Sequence, residues 1–468
     1  MPARDGARQA PRCDIRSLTG LRFVAATWVV LLHFEPYAGA YLDQLPLLRA
    51  IVSAGWTGVE LFFVLSGFVL TLNYADRMGR RLRVRATLEF ALNRFARVWP
   101  AWAAVTVLMG AWIWAVRAAG WSSDVVVPHP PVDVRSVLEQ LTMTQMWGRQ
   151  DLPGASFVLP GWSISAEWAA YLAFPLVVFV LFRLRRLPAT VLLALSVAAM
   201  APLFLIAVNE GRSDLDQHWG LRIACGFTAG ALAALAVRRT RRTPRTDALA
   251  PVLTWVAVVL IVAGALWASW RQAGDWGHKY SGVVVVLFPL LVVGLSLTDR
   301  GPARWLSSDT CVYGGKISYA LYLVHFVVLD VTITCLWQDE SRGQTTAELA
   351  LAVPALVVGS FVAAAALHHG VEEPARRLLL RRLGRRLVPA PAVQVPAPRI
   401  AAVRVPAPPA TLLAPALLAP TRSATGRPRP ASDRSRGVLR VSPGQGAGSA
   451  VLTDTVERPG PVRVRPSA

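Results

Sequence analysis

The chain of 468 residues is 54% hydrophobic and only 16% charged, with a formal net charge of +21. Soluble globular chains carry nearer to about 25% charged residues. Repeated apolar runs of about 18 residues or more exclude that class, and the fold class that follows is all-α: a polytopic membrane helix bundle. The excess positive charge does not indicate nucleic acid, because the arginines cluster in alternate loops and toward the C-terminus, where they set topology and suit anionic lipid heads. Cys13, Cys225, Cys311 and Cys335 show no CxxC spacing and no nearby histidine, so neither a metal site nor a disulfide framework is expected.

Ten spans are predicted, at 17–36, 51–72, 98–118, 162–183, 188–208, 219–237, 249–270, 281–298, 316–337 and 349–368. The first is too long, and too like the later ones, for a cleaved signal peptide, and no small-residue cleavage site follows it. One set of connections is basic: the N-terminus with Arg4, Arg8, Arg12 and Arg16, the stretch Arg77 to Arg97, the Arg183/Arg185/Arg186 turn, Arg238 to Arg245, Arg300/Arg304 and the run Arg376 to Arg386. The alternate set is poor in arginine and carries Asp43, Asp124, Asp214, Asp216, Asp339 and Glu340. The positive-inside rule then places both termini in the cytoplasm of a plasma-membrane protein. Residues 1–16 read as a cytoplasmic segment and 17–387 as the membrane domain. Residues 388–468, rich in Pro, Ala, Val and Arg without helical periodicity, read as a disordered cytoplasmic tail.

In the first span, His33 follows Arg22 by eleven positions. At about 100° and 1.5 Å per residue, the two share a helix face roughly 16 Å apart. Ionisable groups inside a span cost on the order of 2.5 kcal/mol or more and are kept mainly where they act. A snorkelling Arg22 and a His33 bonded between helices fit the same pattern. Glu60, midway in the second run, requires a cation or a polar cavity. Arg94 and Arg97, three apart at the entrance of the third span, face one way, so two guanidiniums can grip one phosphate, although positive-inside arginines have the same spacing. Trp99 and Pro100 are expected to open that span and Pro188 the fifth.

The Pro-rich loop 119–160 is expected to lie outside and partly cover the bundle. Ser163 and Glu167, four apart, share a face at the start of the fourth span, at a depth comparable with His33. A carboxylate there can orient an imidazole, or form a structural polar clamp. Ser318, Tyr322 and His325 make one polar stripe on the ninth span, suited to lining a pore or to bonding between helices. His129, His218, His278, His368 and His369 fall in loops or at span ends and are assigned no role. No Gly-rich phosphate loop, GxSxG elbow or metal motif is present.

Taken in order, Ser17 to Arg22 through His33, Gly58 to Phe68, Arg94-Phe95-Ala96-Arg97, Trp162 to Trp168, Ile317 to His325 and Glu372-Glu373-Pro374 resemble the acyltransferase-3 family of integral membrane O-acyltransferases, over roughly residues 15–380. The resemblance implies transfer of a short acyl group, acetyl above all, from cytoplasmic acyl-CoA to a hydroxyl of a glycan, glycolipid or macrolide-type metabolite. It implies no bound cofactor. It maps His33 to the family's essential histidine, Arg22, Arg94 and Arg97 to its essential arginines, and Glu167 to the acid of its tryptophan–serine motif. No hydrolase-like domain is expected in the tail after the bundle, whereas the resemblance includes relatives that carry one.

The expected mechanism has the arginines holding the CoA phosphates while His33, assisted by Glu167, deprotonates the acceptor. An acyl-imidazole on His33 is the competing route. Glu60, Ser163, Tyr322 and His325 are expected along the polar path. Two other classes fit parts of the pattern: a transporter or flippase for a polar or glycosylated substrate, against which stand the missing repeats, and a membrane scaffold, which leaves the buried ionisable groups unexplained.

Overall fold

A computed structural model describes residues 15–209, 217–271, 280–337 and 346–387. The chain divides into two units, Met1–Gln394 and Val395–Ala468, and every described residue belongs to the first. The tail 388–468, most of the N-terminal segment, Cys13, His278 and the loop acids Asp214, Asp216, Asp339 and Glu340 lie outside the described residues.

Among the described residues there is no strand, and nine helical stretches are long and apolar enough to cross a membrane. They are α1 (Arg16–Phe34), α2 (Gly58–Met78), α3 (Val84–Ala118), α5 (Gly161–Leu181), the broken pair α6 (Ala189–Ala198) and α7 (Ala201–Asn209), α8 (Trp219–Arg239), α9 (Pro244–Arg271), α11 (Asp309–Trp337), and α12 (Thr346–Leu367), which runs through a π-turn at His368–Glu372 into α13 (Glu373–Leu387). A short helix, α4 (Val134–Leu141), sits in the 119–160 segment. The predicted eighth span is shorter than the rest: a 3₁₀ stretch, Ser281–Leu287, followed by α10 (Phe288–Leu297). The steeper 3₁₀ rise of about 2.0 Å per residue brings it to roughly 29 Å, close to the thickness of a hydrocarbon core.

One of the two proline-marked boundaries changes. The third span was expected to begin at 98 behind Trp99 and Pro100, yet α3 starts at Val84 and continues through Pro100. The cause is the basic, helix-compatible stretch before it, which extends the helix beyond the apolar window. A proline inside a packed membrane helix is tolerated where neighbours satisfy the freed backbone. Arg94 and Arg97 are therefore interior positions of a helix that runs on before the predicted span. Pro188, by contrast, caps the N-terminus of α6.

Without a hydrophobic driving force between helices in lipid, close backbone approach through small residues supplies the packing. Helices α2 and α8 meet this way at Gly67 and Gly230: a Cβ on Gly230 would lie 1.9 Å from the Val64 carbonyl oxygen, and one on Gly67 2.0 Å from that of Phe227. Backbone cannot yield at that distance. Gly230→Val is expected to force α2 and α8 apart and lower the melting temperature in detergent by several degrees or abolish folding. An unchanged melting curve would contradict this contact. Helix α1 packs between α2 and α11, burying Leu18, Leu21, Ala25, Ala26, Val29 and Val30. That placement carries Arg22 and His33 into the bundle, while Arg16 at its start stays exposed.

Candidate active site

Two cavities lie one above the other along α1. The first, about 670 Å³, is nearer the arginine-rich end and is lined by Arg22 of α1, Arg94 and Arg97 of α3, Ser163, Glu167 and Tyr171 of α5, and Ser318, Tyr319 and Tyr322 of α11. Helical spacing explains the set. Arg94 and Arg97 are three apart, Ser163, Glu167 and Tyr171 advance by four, and Ser318 and Tyr322 differ by four, so each helix presents one polar stripe to the same space.

The three guanidiniums are not equivalent. Arg97 pairs with the fully buried carboxylate of Glu372, whose other oxygen is 2.9 Å from His368 Nδ1. Arg22 and Arg94 form no ion pair among the described residues, and Arg94 Nε is buried without a hydrogen-bond partner. The Arg94 guanidinium faces the Tyr171 ring at 6.0 Å from its centroid. Half-buried guanidiniums without an ion pair are poised for an anion, since leaving their inward donors unmet is costly. Glu167 lies in the same cavity, accepting from Ser66 Oγ and, at 2.5 Å, from the Tyr171 hydroxyl.

The second cavity, about 1160 Å³, holds His33, together with Val29, Leu32, Trp56, Val59, Trp162, Gln217, Arg222, Tyr322 and a wall from the 119–160 segment: Val127, Pro128, Asp151, Leu152, Pro153, Leu159 and Pro160. His33 Nδ1 is 2.9 Å from the Val29 carbonyl oxygen and 3.2 Å from His325 Nε2, with the two rings 5.0 Å apart between centroids. His325 Nδ1 is in turn 2.9 Å from the Leu321 carbonyl oxygen. A carbonyl only accepts, so in the neutral form of each ring the proton sits on Nδ1. His325 Nε2 then accepts from His33, and Nε2 of His33 carries the lone pair. That is the protonation state a general base requires.

The 119–160 segment is clamped to the bundle. Its Gln140 Nε2 donates to the Ala155 carbonyl at 2.8 Å and Gln145 Nε2 to that of Gly161 at 2.9 Å, while Trp102 Nε1 of α3 donates to the Gln140 carbonyl at 2.6 Å. His129 Nε2 approaches Asp330 Oδ2 of α11 at 3.1 Å, both side chains fully buried. Burial works against the Asp124 carboxylate, but the Ser123 hydroxyl, the His129 amide and the Arg117 and His129 charges outweigh it and hold the carboxyl below its ordinary value. The expected covering loop thus also forms one wall of the His33 cavity.

The structure brings Arg22, Arg94, Arg97, Ser163, Glu167 and Tyr322 around one space and puts His33 on the wall of the next. His325, expected along the polar path, lines neither cavity and is fully buried behind His33, because its face of α11 packs against α1. Glu167 and His33 are not partnered as expected. Glu167 turns toward the arginines and bonds Ser66 and Tyr171, and His325 stands beside His33 instead. Depth along the membrane normal had suggested the pairing, but helix rotation decides which side chains meet. Glu60, expected along the polar path, lines neither cavity: it is 1% exposed and bound at 2.6 Å to Arg222 Nε. A buried carboxylate is held by the nearest cation rather than left facing a path.

Arg222 itself was missed. It lies 2% exposed with its guanidinium 4.4 Å from the Trp162 ring centroid and 5.5 Å from that of Trp56. The rule that singled out Glu60, a charge inside an apolar run, would have found it. Asp330 and Tyr171 were missed too, and the spacing from Glu167 signalled the latter.

The acyltransferase-3 family model, described as an acyltransferase domain, matches residues 15–369. The chain is similar to the acyltransferase MdmB of Streptomyces mycarofaciens, 28% identical over 404 residues, covering 80% of this chain and 95% of the relative. It is also similar to protein 2 in the picA locus of Rhizobium radiobacter, 29% identical over 171 residues, covering 34% of this chain and 80% of the relative. No solved structure gives a significant match. With an all-helical bundle of membrane-length helices and a family match across the two stacked cavities, this chain belongs to the acyltransferase-3 family of membrane enzymes that transfer acyl groups.

Proposed function

We propose that the protein takes a short acyl group, such as acetyl, from acyl-CoA and places it on a hydroxyl of a glycan, glycolipid or macrolide-type metabolite. The observation that carries this reading is the stacking of the two cavities. An arginine-lined chamber suits an anionic donor, and a chamber holding a histidine suits an acceptor hydroxyl. They adjoin at Val59 and Tyr322, which line both. In this reading the arginine-rich end faces the cytoplasm, where acyl-CoA is found, and the bundle sits in the plasma membrane.

Arg22 and Arg94 hold the donor's anionic groups. Arg97, tied to Glu372, contributes field and shape, and Glu167 balances the local positive charge. His33 Nε2 removes the acceptor proton as the oxygen attacks the thioester, and His325 keeps that nitrogen unprotonated by accepting from Nδ1. The second chamber is lined mostly by aliphatic, proline and tryptophan side chains with His33, Asp151, Gln217 and Arg222 among them, which favours a bulky acceptor with both apolar and polar faces.

The direct test is release of CoA thiol from acetyl-CoA by the protein in lipid nanodiscs, with candidate hydroxyl acceptors added, followed by mass analysis of the acceptor. Absence of both thiol release and acyl mass gain across these acceptors rejects the reading. Arg94→Ala is expected to raise the KM for acetyl-CoA about 10-fold or more, because a charge-assisted bond is worth roughly 1.5–3 kcal/mol. An unchanged KM would remove Arg94 from the donor site.

A further inference from the structure

A thioester delivered from one chamber and attacked by a hydroxyl activated in the other must react where the two meet. Only two residues, among those described, line both chambers: Val59, which has no side-chain polar atom, and Tyr322. The Tyr322 hydroxyl lies 2.7 Å from Ser163 Oγ and 3.1 Å from the Pro160 carbonyl oxygen. Ser163 belongs to the lining of the arginine chamber and Pro160 to that of the histidine chamber, so the phenol oxygen marks the boundary. Its ring stands 6.0 Å from that of His325, the neighbour of His33.

Attack on a thioester carbonyl puts a negative charge on its oxygen, and a fixed donor at that position is usually the largest single contribution to catalysis. We propose that the Tyr322 hydroxyl is that donor, with Ser163 as its positioning partner; this rests on the acyl-CoA reading above. At rest the Tyr322 hydroxyl has two acceptors in reach, Ser163 Oγ and the Pro160 carbonyl oxygen, and Ser163 donates to the same carbonyl at 3.0 Å. When the thioester arrives, the phenol proton turns to the carbonyl oxygen and Ser163 keeps its bond to Pro160. No donor is left unpaired by the switch, so it carries little penalty.

The step balances as follows. The acceptor O–H gives its proton to His33 Nε2, and a new C–O bond forms at the thioester carbon. The carbonyl electron pair moves to an oxyanion bonded to Tyr322. Collapse of that intermediate breaks the C–S bond, and the thiolate takes the proton from His33 to leave as CoA thiol. Tyr322 ends with its own proton.

The test compares acetyl-CoA turnover by full-length wild type, Tyr322→Phe, Ser163→Ala and the double variant in nanodiscs, with glycerol as a simple hydroxyl acceptor and thiol release as the readout. Tyr322→Phe keeps the ring and removes only the donor. It is expected to lower kcat about 10²- to 10³-fold, the usual effect of removing one such donor, while the KM for acetyl-CoA and the melting temperature stay near wild type. Ser163→Ala should lower kcat less and add nothing in the Tyr322→Phe background. A Tyr322→Phe enzyme within a few-fold of wild-type kcat overturns the assignment. So does a variant whose loss lies in KM or in the melting curve, since that marks a packing role. Wild type that releases no more thiol than His33→Ala instead overturns the acyl-CoA reading, and this proposal with it.

Discussion

His33→Ala is expected to reduce acyl transfer from acetyl-CoA by about 10²- to 10⁴-fold, the span over which a positioned base contributes. The bundle should stay folded. His33 is half-buried on the wall of a large cavity, so its truncation enlarges existing space rather than opening a void in packed interior. Nearly unchanged expression, monodispersity and melting temperature, with lost thiol release and no acceptor mass gain, are the expected results. His325 is a different case. It is fully buried, and its Nε2 accepts from His33, so His325→Gln should retain part of the rate. An amide can keep a bond to the Leu321 carbonyl or to His33, but not both with the imidazole's geometry. Turnover by His33→Ala close to wild type would remove the base from the mechanism and leave the two-chamber reading without its chemistry.

The second large effect is on stability. Arg222→Ala is expected to destabilise the protein by about 3–5 kcal/mol, the usual result of leaving one member of a buried ion pair uncompensated. Arg222 is 2% and Glu60 1% exposed, and the guanidinium lies against Trp56 and Trp162, so its removal also empties space between two indoles. Glu60→Gln also leaves a buried charge uncompensated, that of Arg222, but should cost less, because the amide oxygen still accepts from Arg222 Nε and the guanidinium keeps its places against Trp56 and Trp162. Adding Glu60→Gln to Arg222→Ala should recover part of the loss, since the stranded carboxylate is gone. Thermal or denaturant unfolding of the four proteins in one detergent makes a double-mutant cycle. Strict additivity would mean that Arg222 and Glu60 do not stabilise one another.

The membrane class, the helical architecture and the positions of nearly all spans were legible in the sequence, because each depends on a local property: a run of apolar side chains long enough for the bilayer and charges between runs. The two exceptions show where that stops. Helix α3 begins at Val84 because a basic segment propagates helix as readily as an apolar one. The stretch ending in α10 spans with fewer residues because part of it is 3₁₀.

Much of the site was legible for a related reason. Arg22 with His33, Arg94 with Arg97, and Ser163 with Glu167 share faces by helical period alone; the last two pairs open on one cavity, while Arg22 and His33 open on the two stacked ones. Their partners were not legible. That Glu167 turns to Ser66 and Tyr171, His33 to His325, Arg97 to Glu372 and Glu60 to Arg222 depends on how each helix is rotated and how closely its neighbours approach. Those rotations are set by small-residue contacts such as Gly67 on Phe227 and Gly230 on Val64, whose partners lie more than a hundred residues away in the chain. Helical period ranks residues around one axis. Which of two carboxylates meets an imidazole and which a guanidinium is settled only when several axes pack together.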